Sequence, residues 1–332
     1  MHIPADEMTA VFERILIRQG FQKDKARLCA EVFTSNSVDG VSTHGVNRFP
    51  RFITYVQKGY IKIDAAPSLE HKAGGIEQWN GNLGPGILNA LHATTTATKL
   101  SDEFGIGCVA LSNTNHWMRG GTYGWQAAKA GYVFIGWTNT IANMPAWGAS
   151  DARLGNNPLV MAVPYKEEAI VLDMATSQFS FGAMEMAVLE NKNLSQPGGY
   201  DSTGKLTTNP SAILETRRSI PVGYWKGAGL SLLLDLLATI LSGGLSTHEI
   251  TGKKVEHRVS QVFIAISLRK LQNYKSLEAV IAGIIDDYHR SVPVDEESRI
   301  IYPGERVMEQ RKKNRAEGIP VNKKLWDDIL LL

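Results

Sequence analysis

The chain has 332 residues, of which 43% are hydrophobic and 20% charged, a balance typical of a globular protein with one large or two medium domains. Its 35 basic and 33 acidic side chains leave a formal charge of +2, which argues against nucleic-acid and membrane-surface binding. Only two cysteines occur, Cys29 and Cys108, so we expect buried thiols and a reducing, cytoplasmic compartment. The start of the chain has no apolar signal core, and the longest apolar run, 230–241, is interrupted by polar residues and is too short to span a bilayer.

Apolar spacing predicts two amphipathic helices, over residues 6–20 and 24–38. The stretch DGVSTHGVNRFPRF (39–52) follows and places His44 between two glycines, four residues before Arg48. A helix over 46–57, kinked at its proline, would carry Arg48 one turn beyond the histidine on the same face. A proton-transfer group and a carboxylate-binding guanidinium would then share one small volume. The alternative is an ordinary helix start with a solvated arginine.

Short strands and turns are predicted over 61–81, followed by a helix over 85–103. The next segment, FGIGCVALSN, contains G-x-G-x-x-A and resembles a dinucleotide-binding fingerprint. That fingerprint must leave a strand and open a helix, whereas these glycines end a helix and enter a strand. We therefore reject a Rossmann fold.

A second unusual stretch is NTNHWMRGGTYGW (113–125), in which His116 and Arg119 precede several glycines. It follows the end of a predicted strand, and glycine-rich loops at such positions often carry function because backbone can approach a ligand closely. The alternative is a turn with a surface histidine.

The middle of the chain is rich in strand signals, with a predicted hairpin over 159–164 and 169–177. Asp173 ends the second strand, and the polar groups after it suit either a cofactor or the cap of a helix over 179–190. Other predicted elements of this half are a helix over 125–130, a strand over 132–138, a loop near 145–148, a surface excursion over 191–212, a strand over 261–268, a helix over 275–289, a strand near 300–301 and two final helices.

The segment 223–244 reads as a glycine-bounded, buried helix with Lys226 at its N-terminal end. A lysine there opposes the helix dipole, which indicates a role in binding an anionic ligand, and the alternative is a solvated lysine. Together with the two histidines, the two arginines and Asp173, it forms a set without metal-ligand spacing, so no metal site is expected. The set suits an anionic small molecule and acid–base chemistry. A dehydrogenase, a hydrolase that uses Ser42 with His44, and a non-catalytic binding protein all remain open.

Five segments, STHGVNRFPRF, SNTNHWMRGGTYGW, LGNNPLVMAVP, LDMATS and GYWKGAGL, resemble the malate/L-lactate dehydrogenase type-2 family in their order and spacing. The resemblance implies an α/β fold, non-Rossmann, with a mixed, largely antiparallel central sheet flanked by helices. It also implies a helical domain built from both chain ends (1–75 plus 270–332) and a sheet-containing cofactor domain (76–269). NAD as cofactor, with NADP as the alternative, and a homodimer with its site near the subunit boundary are further implications.

By the same resemblance His44 is the proton donor, with His116 as the alternative acid–base residue. Arg48 holds the substrate carboxylate, and Arg119 and Ser42 are further substrate-binding residues. The implied cofactor-binding positions are Val171, Leu172, Asp173, Met174, Ala175, Thr176, Tyr224, Trp225, Lys226, Gly304, Glu305 and Arg306.

Two departures from the family pattern bear on the substrate. Many relatives have GYKG where this chain has GYWKG, and the additional Trp225 is shared with a sugar-acid reductase of the family. Many relatives also carry a lysine where this chain reads TNT at 138–140, so any role of that lysine falls to other groups here. The implied reaction is NADH-dependent reduction of a dioxo sugar acid, and the alternative substrate is a simpler 2-hydroxy acid of the malate or lactate type.

Overall fold

The computed structural model describes all 332 residues. The helices are α1 (Ala5–Arg18), α2 (Lys23–Val38), α3 (Phe49–Gln57), α4 (Gly86–Phe104), α5 (Gly121–Lys129), α6 (Phe181–Leu189), α7 (Pro210–Thr216), α8 (Trp225–Ser242), α9 (Thr247–Gly252), α10 (Leu277–His289), α11 (Glu305–Glu317) and α12 (Lys323–Leu330). The strands are β1 (His2–Ile3), β2 (Ser68–Ala73), β3 (Ile76–Asn80), β4 (Ile106–Thr114), β5 (Tyr132–Thr138), β6 (Ala142–Pro145), β7 (Ala152–Gly155), β8 (Leu159–Tyr165), β9 (Glu168–Met174), β10 (Gly199–Tyr200), β11 (Leu206–Thr207), β12 (Val259–Ser267) and β13 (Ile319–Pro320).

Seven strands form the central sheet in the order β2-β3-β4-β12-β5-β8-β9. Only β3 and β4 run parallel, and every other neighbouring pair is antiparallel. The mixed, largely antiparallel sheet flanked by helices is therefore confirmed. Gly105 ends α4 with a φ of 87° and leads straight into β4, which also confirms the rejection of a dinucleotide fingerprint.

The sheet is covered on both faces, as the alternation of side chains along β4 shows. Val109 and Leu111 join the core under α4 and α5, whereas Cys108 and Ala110 pack with α8 on the opposite face. Both cysteines are free and buried, as predicted.

A separate core joins the two ends of the chain. Phe12 of α1 stacks on Phe49 of α3 at 4.1 Å between ring centroids, and the ring of Trp326 in α12 lies 6.3 Å from that of Phe12. Helix α10 is not part of this core, because its Ile285 packs with Tyr165 of β8. The proposed division into residues 1–75 plus 270–332 and 76–269 stays a prediction.

The stretch that carries His44 differs from the expected helix. Ser42–His44 form a short 3-10 turn, and α3 begins only at Phe49. Pro50 therefore occupies the first turn of α3, where its missing N–H is harmless, rather than kinking a longer helix.

Hydrogen bonds with side chains of α2, rather than those of a longer α3, hold this stretch in position. The N–H of Val46 donates to Ser37 Oγ at 2.8 Å, and Asn36 Nδ2 donates to the carbonyl of His44 at 2.9 Å. A side chain at Gly45 would bring its Cβ within 2.2 Å of Ser37 Oγ, so only glycine allows this close approach. The side chains of α2 therefore fix where His44 lies.

Several other local predictions need correction. Helix α5 begins at Gly121 instead of 125, strand β6 ends at Pro145 within the predicted 145–148 loop, and α7 begins inside the predicted surface excursion over 191–212 but extends to Thr216. Residues 300–301 form no strand. Ser180 caps α6 by accepting from the N–H of Ala183, so the polar residues directly after Asp173 are not its cap.

The prediction that 223–244 is a buried helix is wrong in its burial. Five apolar side chains of α8 are 41–69% exposed, namely Leu232, Leu233, Leu236, Leu237 and Ile240. By length and composition α8 would qualify as a membrane span, but its other face packs on the central sheet, as the core helix of a globular fold does. Apolar composition alone does not show which face of a helix packs against the rest of its own chain and which face points outward.

Candidate active site

A cleft of about 830 Å³ lies between the chain-end core and one end of the central sheet, and nine of the seventeen predicted site residues line it. This volume falls within the range of roughly 300–1,000 Å³ that small-molecule and cofactor sites occupy. Its wall combines parts of residues 41–60, the 116–120 loop, the ends of β5 and β9, residues 180–185 and 254–256, and the start of α11.

Two histidines from distant parts of the chain face each other in this cleft. The rings of His44 and His116 lie 5.6 Å apart between centroids, with an interplanar angle of 23°. Burial lowers the pKa of His44 to about 4, and the positive charges of Arg48 and Arg119 act in the same direction. Burial also holds the pKa of His116 well below its usual range, and Arg48 and His44 add to the effect. Both rings are therefore neutral near pH 7 in the absence of a ligand.

Arg48 supplies a guanidinium whose N–H groups have no hydrogen-bond acceptor within the protein. It forms no hydrogen bond within the chain, and its closest carboxylate oxygen is Oε1 of Glu256 at 4.0 Å. The Oε2 atom of Glu256 is already engaged, because it accepts from the N–H of Ile141 at 3.2 Å. Five N–H donors of Arg48 thus remain for a ligand, and a carboxylate matches their geometry.

Arg119 also lines the cleft, but its charge is already paired. Its guanidinium donates to Asp39, which is 7% exposed, and lies 3.7 Å from Oδ2 of Asp173. Asp39 is shared with Arg311 of α11, whose Nε donates to Oδ1 at 2.6 Å. Arg119 therefore has fewer free hydrogen-bond donors for its predicted substrate-binding role than Arg48 has.

The edge of the sheet provides part of the predicted cofactor contacts. Val171, Leu172, Asp173 and Ala175 at the end of β9 line the cleft together with Gly304. Burial raises the pKa of Asp173, and Arg119 and the N–H of Gly121 oppose that rise. The carboxylate oxygen Oδ2 of Asp173 accepts from this N–H at 2.8 Å.

Gly304 brings the start of α11 against β9. It has a φ of 98°, and a Cβ added there would lie 3.2 Å from the backbone nitrogen of Val171. The N–H of Val171 donates to the carbonyl of Pro303 at 3.0 Å. A side chain at this position would be directed at the Trp125 ring and the Val171 backbone, so glycine allows α11 to begin this close to β9.

The remaining predicted positions lie outside the lining of the cleft in a single chain. Tyr224, Trp225 and Lys226 are exposed at the N-terminal end of α8, and the Tyr224 ring lies 5.2 Å from that of Trp147. Ser42, Met174, Thr176, Glu305 and Arg306 are likewise absent from the lining. It is Thr43, and not Ser42, whose hydroxyl lies 3.1 Å from a ring nitrogen of His44.

Sequence reasoning missed several lining residues. Glu256 and Lys254 come from a charged segment that showed no pattern, and Tyr60 follows the end of α3. Asn143 lies on β6, and its buried Oδ1 has no hydrogen-bond partner. Asp39 does not line the cleft but pairs with Arg119, and it had a detectable signal, since it opens the same stretch that contains His44.

Comparison with known proteins agrees with this architecture. Residues 3–330 match the family described as malate/L-lactate dehydrogenase. A malate dehydrogenase structure from Entamoeba histolytica superposes with a TM-score of 0.94 at 23% identity, covering 99% of this chain and 96% of that one. Sulfolactate dehydrogenase from Methanocaldococcus jannaschii superposes with a TM-score of 0.89 at 26% identity, covering 99% and 95%.

The chain therefore belongs to the malate/L-lactate dehydrogenase family, and it is an oxidoreductase that acts on a CH–OH or C=O group. Within the family it is similar to proteins named 2,3-diketo-L-gulonate reductase. The protein of Pasteurella multocida (strain Pm70) is 42% identical over 330 residues, 99% of each chain, and that of Escherichia coli O139:H28 (strain E24377A / ETEC) is 43% identical over the full length of both.

Proposed function

We propose that the protein reduces 2,3-diketo-L-gulonate to 3-dehydro-L-gulonate, with NADH as the source of hydride. The observation that carries this proposal is a guanidinium that forms no hydrogen bond within the protein, that of Arg48, in the same cleft as two stacked histidines, His44 and His116. A 2-oxo acid needs a carboxylate-binding group and a proton donor beside its carbonyl. The names of relatives at 42–43% identity favour the diketo sugar acid as the particular substrate.

The end of β9 and the start of α11 suit a nicotinamide dinucleotide. The residues that would hold it line the cleft where the backbone of Gly304 lies against that of β9. They are Val171, Leu172, Asp173, Ala175 and Gly304. The unpartnered oxygen of Asn143 offers a further acceptor to a bound amide or hydroxyl. When bound, the reduced nicotinamide supplies a hydride to the substrate carbonyl carbon. NADP is the alternative, and the contacts proposed for Tyr224–Lys226, Met174, Thr176, Glu305 and Arg306 are part of the same proposal.

The side chains divide the remaining work. Arg48 binds the substrate carboxylate and orients the carbonyl towards the histidines. His44 takes up a proton from solvent when the bound carboxylate offsets the positive charge of Arg48. It transfers this proton to the carbonyl oxygen as the alcohol forms. A positioned general acid contributes roughly 10²–10⁴ in rate. His116 positions and polarises the same oxygen.

The alternative substrate is a simpler 2-oxo acid, as the family description of malate and lactate suggests. The test is NADH oxidation with 2,3-diketo-L-gulonate, run beside pyruvate, oxaloacetate and NADPH. Fast turnover with the diketo acid and NADH alone is the expected result. Turnover only with pyruvate or oxaloacetate would show that the substrate is the simpler 2-oxo acid. Binding of the sugar acid without oxidation of NADH or NADPH would rule out the proposed reaction.

Variants of the two histidines test the assignment of the proton donor. His44→Ala should lower kcat by roughly 10²-fold or more, because no other side chain replaces the lost acid. If His44→Ala retained nearly the wild-type kcat while His116→Ala did not, the two roles would be reversed.

A further inference from the structure

The two histidines of the cleft differ in what their ring nitrogens touch. His116 Nδ1 accepts a hydrogen bond from the backbone N–H of Met118 at 2.9 Å. A backbone N–H only donates, so this ring nitrogen must carry a lone pair. A neutral histidine with a lone pair on Nδ1 has its proton on Nε2. A proton on Nδ1, in either the other tautomer or the imidazolium, would face the hydrogen of the Met118 amide.

The donor of this hydrogen bond is held firmly. Trp117 is 1% exposed and Met118 4%, and the Met118 side chain belongs to the core that joins the two chain ends. Met118 also has a left-handed φ of 67°, which a side-chain-bearing residue adopts only where its surroundings require it. Moving this N–H away from His116 would therefore disturb core packing.

The opposite nitrogen of His116 is available to a ligand. Nε2 has no acceptor within the chain, and the ring lines the cleft opposite His44. The charged and titratable groups around the ring, Arg48, Arg51 and His44, all disfavour a further positive charge. The Nε2–H group thus points to an oxygen that the substrate must supply.

His44 is not restricted in this way. Its Nδ1 lies 3.1 Å from the hydroxyl of Thr43, which can rotate to donate or to accept. His44 can therefore gain and lose a proton without breaking this contact.

We infer that the turn at Met118 fixes His116 as a neutral Nε2–H donor to the substrate carbonyl oxygen, and that only His44 of the pair exchanges a proton. The ligand part of this inference rests on the proposed function, but the state of the ring does not. The closest precedent in chemical terms is an oxyanion-binding donor, which stabilises negative charge on oxygen without giving up its proton.

Nuclear magnetic resonance of the intact protein with ¹⁵N-labelled histidine tests the ring state directly. Long-range ¹H–¹⁵N spectra distinguish a protonated from an unprotonated ring nitrogen, and His116→Gln and His44→Gln assign the two signals among the eight histidines. The expected result is an unprotonated Nδ1 and a protonated Nε2 at His116 from about pH 8 to about pH 5. An Nδ1–H tautomer or an imidazolium at His116 in this range would overturn the inference.

Kinetics of two substitutions test the donor role. The amide of His116→Gln places an N–H near the former Nε2 but does not titrate, whereas His116→Ala removes the donor. We expect His116→Ala to lose roughly 10²–10³ in kcat, and His116→Gln to recover most of it with an unchanged pH profile. Equal loss in both variants with an altered pH profile, or a wild-type kcat in His116→Ala, would contradict the donor role. The spectra need no turnover, so failure of every substrate would count against the proposed function alone.

Discussion

At the scale of single residues, Arg48 is distinguished by what it does not contact. Arg119, a buried arginine of the same cleft, is paired with two carboxylates, whereas the partly exposed Arg48 has only Glu256 at 4.0 Å. A guanidinium that forms no hydrogen bond within the protein is available for an anionic ligand, and each charge-assisted hydrogen bond is worth about 1.5–3 kcal/mol.

Arg48→Ala should therefore raise the KM for the acid substrate by about 10- to 150-fold per lost hydrogen bond, with a smaller change in kcat. Steady-state kinetics with the preferred acid measure both constants. Arg153→Ala is the matched control, because Arg153 is exposed and outside the cleft. A large fall in kcat at unchanged KM would show instead that Arg48 acts in the chemical step.

The depressed pKa of His44 predicts a pH-dependent stability. The unfolded chain takes up a proton at this histidine below about pH 6.5, whereas the folded chain does so only near pH 4. Because the unfolded state binds more protons between these values, acidification through this window destabilises the fold, by up to about 3 kcal/mol.

Urea unfolding of the wild type and His44→Gln, at several pH values, isolates this contribution. The wild type should lose more free energy of unfolding than the variant as the pH falls from about 6.5 to about 4. His71→Gln, on the exposed strand β2, is the control and should follow the wild type. Parallel curves for the wild type and His44→Gln would contradict the depressed pKa.

At the scale of elements, one buried carboxylate ties three parts of the fold together. Asp39 follows α2, Arg119 precedes α5, and Arg311 lies on α11, whose first residues border the cleft. Arg311 also lies over the ring of Trp125 at 4.6 Å. The network thus holds the cleft wall of α11 against the loop that carries His116.

Asp39→Asn should lower the free energy of unfolding by about 3–5 kcal/mol, because it leaves two largely buried guanidinium groups without their shared charge. Chemical denaturation measures the loss. The control Asp151→Asn removes an exposed pair with Arg153 and should cost at most about 1 kcal/mol. Equal, small effects of both changes would show that Asp39 does not organise these elements.

Prediction from sequence succeeded and failed at this scale for identifiable reasons. Helices α1 and α2 and the hairpin of β8 and β9 lie close to their predicted limits, because local periodicity and turn residues specify them. The start of α3 was missed because Ser37 and Asn36 of the preceding helix, and not local propensity, hold residues 44–46. The pairing of Asp39 with Arg311 spans 272 positions, which no local pattern detects.

At the scale of the whole molecule, the exposed face of α8 is the main unexplained surface. Its leucines and Ile240 recur at spacings that place them together on one side of the helix, away from the sheet. Contiguous apolar surface of this kind marks an interaction site. The homodimer that the family resemblance implies would cover it, and it stays a prediction.

Leu233→Glu should convert a dimer into monomers, because it places a charge in the centre of this apolar face. Sedimentation equilibrium of the wild type and the variant measures the mass. Leu331→Glu at the C-terminal helix, where the leucine is 85% exposed, is the control and should leave the mass unchanged. A wild-type protein of monomer mass, or a dimeric Leu233→Glu, would require another explanation for the face.

The sequence by itself determined the family, the absence of a Rossmann fingerprint, and the two short stretches that contain His44, Arg48 and His116. These depend on residue types at fixed local spacing, which a linear chain displays directly. The tertiary structure decided which of these side chains share a cleft. It also decided that the guanidinium of Arg119 is hydrogen-bonded within the protein and that of Arg48 is not. It also placed the Met118 N–H against Nδ1 of His116, from which we infer the position of the ring proton. These properties depend on contacts between residues far apart in the chain and on burial, which only the folded chain creates.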